Sequence, residues 1–275
     1  MKLLLIGDIH TGTSRESTTH PGISRQGNTE ALETLRSLIP HFQSLEIDLV
    51  VNFGDIIRDV HEKEIDRENM HQTLELLNTL NIPKIHLLGN HELKSFTRSE
   101  IEQQYTNETI EPKFWGKQQV GNFQVIWLDF EIDQQGEAYL PEERLAWLRS
   151  TLQSDMPSIL LSHYSIVPVH VEGSFYFEKE PTTTHYINSQ QILDVLDSNK
   201  SVFLAVNAHV HMLSHLVRKQ VHFISNLAFS ENIAADQFPS NNPGIYTILD
   251  LSNEGFVHST YSGAFCFSKI EGKLS

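Results

Sequence analysis

Short apolar runs alternate with helical spacing along the first third of the chain. Leu3–Ile6 is a continuous apolar run, followed by helical periodicity from Thr29 to Leu45 and a second run at Asp48–Phe53. A further helical pattern over Asp66–Leu80 leads into the run Lys84–Leu88. The βαβαβ order predicts a mainly parallel sheet covered by helices. In open sheets of that kind the ligand site lies at the carboxyl ends of the strands.

The middle of the chain changes character. Phe114–Val120 and Phe123–Asp129, separated by Gly121-Asn122, read as an antiparallel hairpin. Pro141–Leu152 has the spacing of a helix with Pro141 in its first turn and Trp147 and Leu148 on its apolar face. After a strand at Ser158–Ser162 comes an irregular stretch, His163–Asn188, containing Phe175, Tyr176 and Phe177. Loops of that length inside a domain usually carry function, so 163–188 is expected to be a substrate-site loop, with the three aromatic residues a candidate lid. A helix at Ser189–Asp197 and strands at Val202–Val206, Val221–Ser225, Ile245–Leu251 and Phe256–Tyr261 complete the pattern. With no internal repeat or linker, residues 1–275 are expected to form a single domain.

Charge narrows the function. The formal net charge is −15 with neutral histidines, and no Lys/Arg cluster stands out, so neither polymeric nucleic acid nor an anionic membrane is an expected partner. An anionic substrate would have to be drawn by a local positive charge such as bound cations. The single cysteine, Cys266, rules out an internal disulfide or a Cys-based zinc site and fits a reducing, cytoplasmic setting. Leu3–Ile6 is too short for a membrane span or a signal-peptide core. There is no phosphate-binding Gly-x-x-x-x-Gly-Lys loop and no Gly-x-Ser-x-Gly elbow, which removes kinase, nucleotide-driven motor and serine-esterase readings.

Five apolar runs end in metal-capable side chains: Asp8 and His10, then Gly54-Asp55, then Gly89-Asn90-His91-Glu92, then His163, and finally His209 and His211. A lone histidine at a strand end is usually a packing or surface residue, and a lone Gly-Asp a turn. Five such ends in one chain favour a metal centre. Carboxylate, imidazole and amide oxygen suit Mn, Fe or Zn. If the strands end in extended form, Asp8 with His10, and His209 with His211, point to one side. Two ions about 4 Å apart bridging a hydroxide would supply a nucleophile at neutral pH. With two aspartates such a centre carries roughly one positive charge, which matches a phosphodiester monoanion better than a monoester dianion.

Asp-x-His, Gly-Asp, Gly-Asn-His-Glu, a separate His and a closing His-x-His, in this order over Asp8–His211, resemble the calcineurin-like metallophosphoesterase superfamily. The resemblance implies an α/β fold, a four-layer αββα sandwich of two mixed sheets flanked by helices. It further implies that Asp8, His10, Asp55 and His211 bind one metal, that Asp55, Asn90, His163 and His209 bind the other, and that His91 lies over the substrate as the catalytic proton donor. Glu92 would orient His91 or stand as a solvated surface carboxylate. His163-Tyr164-Ser165-Ile166-Val167-Pro168-Val169, with Asn188 before a helix, is similar to the cyclic-nucleotide-phosphodiesterase-like (class III) branch, which adds Tyr164 and Asn188 as candidates for substrate or supporting contacts; His170, by its place in the loop after His163, is a further candidate or else a surface residue. This sequence has Ala208 where the family usually has Gly before His-x-His, and Arg58-Asp59 where it usually has Asp-Arg.

The expected activity is therefore hydrolysis of a small phosphodiester, such as a cyclic nucleotide, a nucleotide-linked diphosphate or a glycerophosphodiester. Phosphomonoester hydrolysis is the nearest alternative. A non-catalytic scaffold of the same fold would be expected to lose ligands or His91, and this chain keeps them all. Of the 15 histidines, His20, His41, His61, His71, His86, His185, His215, His222 and His258 are expected at the surface or in packing. The strands after His211 leave a homo-oligomer open.

Overall fold

The computed structural model describes residues 1–13, 26–59, 62–105, 114–174, 176–231 and 243–274. His20, His61 and Phe175 lie outside the described residues. The chain opens with β1 (Lys2–Ile6), α1 (Gln26–Ser44), β2 (Leu49–Asn52), α2 (Lys63–Asn78) and β3 (Lys84–His86). Two short helices, α3 (Glu92–Ser95) and α4 (Arg98–Tyr105), precede the hairpin β4 (Gly116–Val120) and β5 (Phe123–Leu128). The ribbon β6 (Glu131–Ile132) and β7 (Ala138–Tyr139) is followed by α5 (Glu142–Thr151), β8 (Ser158–Ser162), α6 (Ser189–Asp197) and β9 (Val202–Asn207). The remaining strands are β10 (Ser214–Arg218), β11 (Val221–Ser225), β12 (Ile245–Ser252), β13 (Gly255–Ser262) and β14 (Phe265–Lys273).

Two six-stranded sheets result, in the orders β14-β13-β12-β1-β2-β3 and β10-β11-β9-β8-β5-β4. β1, β2 and β3 run parallel, as do β5, β8, β9 and β11, while the outer strands are antiparallel, so both sheets are mixed. The central strands are apolar throughout because both of their faces are covered. Leu3, Leu5, Leu49 and Val51 meet Val125, Trp127, Ile159 and Leu161 of the facing sheet. The alternate residues Leu4, Ile6 and Val50 meet Ala31, Leu35 and Phe42 of α1 and Leu77 of α2. On the far side of the second sheet, Ile126, Leu128 and Leu160 pack with Leu145 and Leu148 of α5 and Ile192 and Leu196 of α6. This is the four-layer αββα sandwich.

Element ends differ in detail from the pattern. Pro141 is extended (φ −60°, ψ 151°) and stands just before α5 rather than inside its first turn. β4 starts at Gly116, because Phe114 turns inward against the Tyr105 ring. The parallel strands of each sheet point their carboxyl ends the same way, which gathers the loops after β1, β2, β3, β8 and β9. No helix among the described residues is long and apolar enough to cross a membrane.

Candidate metal centre

The loops after β1 and β2 run side by side. Asp8 N donates to Gly54 O (3.0 Å), His10 N to Asp55 O (2.9 Å) and Thr11 N to Ile56 O (2.8 Å). That pairing is made possible by an uncommon backbone. Asp8 (φ 51°), His10 (φ 51°), Asp55 (φ 50°), His209 (φ 67°) and His211 (φ 56°) are all left-handed. The extended strand ends expected from the sequence are therefore wrong for both pairs, Asp8 with His10 and His209 with His211. Each residue instead turns its side chain inward from a tight loop, at a cost of about 1 kcal/mol or more per position. Ala208 needs no positive φ. The departure from glycine there is tolerated because the strain falls on its neighbours.

Two glycines make the loops fit. A Cβ on Gly54 (φ +92°) would stand 2.3 Å from Gly89 N, and one on Gly89 would stand 2.1 Å from Asp55 N. Glu92 fastens the same junction: its buried carboxylate accepts Gly89 N (3.0 Å) and Asp55 N (3.1 Å) through Oε2, and Ile56 N through Oε1. It braces backbone rather than orienting His91, correcting the expected role. Burial and the nearby Asp55 charge push the Glu92 carboxyl up to about 7.

Seven expected ligands converge. One group of donors is Asp8, His10 and His211, and another is Asp55, His163 and His209; within each, the donor atoms lie within 4.8 Å of one another. Asp55 stands between them, its Oδ2 being 3.8 Å from His10 Nε2 and 3.5 Å from His163 Nε2. Asn90 Oδ1 is 3.1 Å from His163 Nε2.

The protons show what the site is built to hold. A carbonyl oxygen only accepts, so His211 Nδ1 donates to Glu231 O (3.0 Å), His10 Nδ1 to Ile57 O (3.4 Å), His163 Nδ1 to Phe53 O (2.8 Å) and His209 Nε2 to Thr183 O (3.1 Å). His163 Nε2 and Asn90 Oδ1 then face each other as acceptors at 3.1 Å, while His10 Nε2 and His211 Nε2 lie 3.1 Å apart, with His211, raised against its burial by the Asp8 charge, able to hold a proton that a cation would displace. His209 Nδ1 is buried with no hydrogen-bond partner. Facing acceptors repel, and a cation between them removes the repulsion. Burial and the Asp8 charge push the Asp55 carboxyl up to about 8 in the protein alone, a penalty that a cation would reverse. Burial lowers His163 and, further still, His209, keeping both neutral as ligands require. The residues fit two metal ions.

His91 sits at the cavity edge, its ring edge-on to His10 with centroids 4.7 Å apart. Its Nδ1 donates to Asp59 Oδ1, and Arg58 Nη1 donates to its Nε2 (3.0 Å). Burial, with Arg58 and Lys94 nearby, holds His91 well below its usual range. Arg58-Asp59 is visible in the sequence as a departure, but neither residue has a legible role there, because their order is swapped relative to the resemblance. Their place just beyond Gly54-Asp55, with two residues between, was the available signal.

A cavity of about 510 Å³ opens over these groups, lined by Asp55, Arg58, Asn90 and His91 and, from the 163–188 loop, by Tyr164, Tyr176, Phe177, Lys179 and Thr183. Tyr164 packs on His209 with ring centroids 4.1 Å apart, and Phe177 meets the same ring edge-on at 5.1 Å. His170 is not in the lining; its ring is largely exposed and lies 3.2 Å from Glu172. Asn188 is also elsewhere, since Leu140 N donates to its Oδ1 (2.9 Å) and its Nδ2 donates to Leu140 O (2.8 Å), joining α6 to the segment before α5. Neither supports a substrate role.

A family model for the calcineurin-like phosphoesterases matches residues 1–213. The chain belongs to that family. This calcineurin-like phosphoesterase is thus a metal-dependent phosphoric ester hydrolase, with Asp and His groups that could hold metal ions. No curated protein matches it. Among solved structures, a dimetal phosphatase from Danio rerio is 17% identical, with a TM-score of 0.77 over 100% of this chain and 99% of that one. A purple acid phosphatase from yellow lupin seeds (Lupinus luteus) is 13% identical, with a TM-score of 0.66 over 98% of this chain and 53% of that one. GAP50, the anchor in the inner membrane complex of Plasmodium, is 14% identical, with a TM-score of 0.58 over 100% of this chain and 89% of that one. At these identities the likeness speaks for the fold.

Proposed function

We propose that the chain hydrolyses small phosphodiesters at a dinuclear centre, with Asp8, His10, Asp55 and His211 holding one ion and Asp55, Asn90, His163 and His209 the other. The observation that carries this reading is the pair of donor groups, Asp8–His10–His211 and Asp55–His163–His209, with Asp55 Oδ2 standing 3.8 Å from His10 Nε2 and 3.5 Å from His163 Nε2 beneath an open cavity. Mn, Fe and Zn all suit such donors, and these ions would supply positive charge and an activated water. His91, held through Nδ1 by Asp59, presents Nε2 to the cavity and delivers the proton to the leaving oxygen. Tyr164, packed on His209, fixes the ring of a ligand and closes one wall against water. Tyr176 and Phe177 offer an aromatic face for the organic part of the ester.

Charge favours the diester. Arg58, Lys94 and Lys179 line the cavity against Glu180 and Glu231, so the wall adds little net positive charge to a centre carrying roughly one. Because cations outnumber anions in that wall, phosphomonoester hydrolysis is the second reading. We further propose one domain over 1–275, working in the cytoplasm, where the exposed Cys266 thiol stays reduced. The test compares bis(p-nitrophenyl) phosphate with p-nitrophenyl phosphate in the presence of Mn²⁺, for wild type, Asp55→Ala and His91→Ala. Diester turnover abolished by Asp55→Ala and cut at least about 100-fold by His91→Ala is expected. Turnover confined to the monoester would select the second reading, and no metal-dependent turnover of either would refute both.

A further inference from the structure

Arg58 stands between two partners. Its Nη1 donates to His91 Nε2 at 3.0 Å and lies 3.8 Å from Glu231 Oε2. While Arg58 occupies the Nε2 lone pair, His91 cannot carry a proton there. Something must draw the guanidinium away when substrate enters, and Glu231 is placed to do so.

Glu231 is held firmly for that purpose. Its carboxylate is buried, and Asn28 Nδ2 donates to its Oε1 at 2.8 Å. Asn28 is itself fully buried, its carbonyl accepts Gly12 N (3.2 Å), and Arg58 N donates to Thr11 O (2.9 Å). The segment leading into Glu231 is pinned to the loop after β1: Phe229 N donates to Gly7 O (2.8 Å) and Ser230 Oγ to Ile9 O (2.8 Å). Glu231 is also left-handed (φ 57°), a strain rarely kept by a non-glycine residue away from a functional site. Its carbonyl accepts His211 Nδ1, but its side chain turns to the opposite task and lines the cavity with Arg58.

We infer that Glu231 is a positioning residue that competes with His91 for Arg58, swinging the guanidinium toward the cavity so that it meets a phosphate oxygen while His91 Nε2 is released to take and pass a proton. The inference rests on the hydrolase reading above. It assigns a role to the swapped Arg58-Asp59 pair: Asp59 fixes one face of the His91 ring, and Arg58, steered by Glu231, gates the other. A carboxylate beside a phosphate site would otherwise only repel substrate, and its pairing with Arg58 accounts for its presence.

The test is a double-mutant cycle on the manganese-loaded protein, using Arg58→Ala, Glu231→Gln and the two combined. The readouts are kcat on bis(p-nitrophenyl) phosphate and the Kd of inorganic phosphate by calorimetry. Glu231→Gln is expected to lower kcat about fivefold and weaken phosphate about fivefold, and to do neither in the Arg58→Ala background. Metal content should stay at the wild-type level in Glu231→Gln, because His211 uses the backbone carbonyl. If Glu231→Gln loses metal, Asn28→Ala replaces it, loosening the carboxylate without removing it, with a smaller effect that also vanishes when Arg58 is absent. Equal losses with and without Arg58, or no loss at all, overturn the inference. Wild-type inactivity on every ester would count against the hydrolase reading, and the phosphate titration would still decide the role of Glu231.

Discussion

Two histidines far from ligand duty should make the fold acid-sensitive in a measurable way. His258 on β13 is fully buried between the sheets, its Nε2 donating to Asn226 Oδ1 at 2.7 Å, and burial holds it down at about 4. His86 on β3 is buried against Tyr105, accepts Asn52 Nδ2 at 3.1 Å, and is also held at about 4, by burial and then by Lys84. Unfolded histidine titrates near 6.5, so between about 6.5 and 4 the unfolded chain binds more protons than the native one. Stability is therefore full above about 6.5 and falls as pH drops toward 4. At pH 5 each group costs about 2 kcal/mol, rising to about 3 kcal/mol below pH 4. The assay is urea unfolding at pH 7.5 and pH 5.0, with EDTA in every sample. His258→Gln should lose about 2 kcal/mol less than wild type between the two pH values, a midpoint difference of about 0.7 M urea for a slope near 3 kcal/mol per M. Asp55, pushed up to about 8, and Glu92, pushed up to about 7, work in the opposite sense, their contribution being lost as pH rises, but they are common to both proteins and cancel. An unchanged pH dependence in His258→Gln would refute the claim that this ring is held neutral.

Two further changes test the site's architecture. Asp59→Asn removes the charged acceptor that fixes His91 Nδ1–H, so kcat at saturating ester should fall roughly 10- to 100-fold with KM nearly constant; a rise in KM alone would place Asp59 in substrate binding. Gly89→Ala forces a methyl group to within 2.1 Å of Asp55 N, where backbone cannot yield cheaply, so about 3 kcal/mol of stability and most bound metal should be lost together, as read by urea unfolding and elemental analysis.

The first half of the site was written in the sequence because its signal is local. Parallel strands buried on both faces must be apolar, so a polar His or Asp at the point where a run stops is visible without coordinates. Asp8, His10, Asp55, Asn90, His163, His209 and His211 all stood out this way. The second sheet did not, and the sandwich came from the resemblance rather than from periodicity. The edge strands β10 and β14 were missed because exposed strands such as Ser214–Arg218 mix polar and apolar residues without clear alternation. Left-handed backbone was equally hidden, since only glycine announces it in sequence, and here Asp and His adopt it. Glu231 could not be read at all: its partner Asn28 is 203 residues away, and its meaning depends on Arg58 lying between it and His91.

Those left-handed ligands also say how folding and metal binding are linked. Five strained positions at about 1 kcal/mol each, together with the facing acceptors of His163 and Asn90 and the two buried carboxylates Asp8 and Asp55, form a local structure that the backbone pairing of the β1 and β2 loops only partly offsets. In the proposed two-metal centre, cations would supply the other half of that balance. A ligand that binds the native state alone stabilises it by about 4 kcal/mol when its free concentration is 1,000-fold above its Kd. Stripping metal with EDTA and then titrating Mn²⁺ should therefore raise the unfolding midpoint progressively in wild type and far less in Asp55→Ala, which removes the carboxylate standing between the two donor groups. Hydrogen exchange should locate the gain in amides that fasten the loops, such as Asp8 N, His10 N and Thr11 N, leaving the β12–β13 ladder unchanged. Equal midpoints with and without Mn²⁺ in wild type would mean that the strained loops are stable by themselves, and the coupling argument would fall.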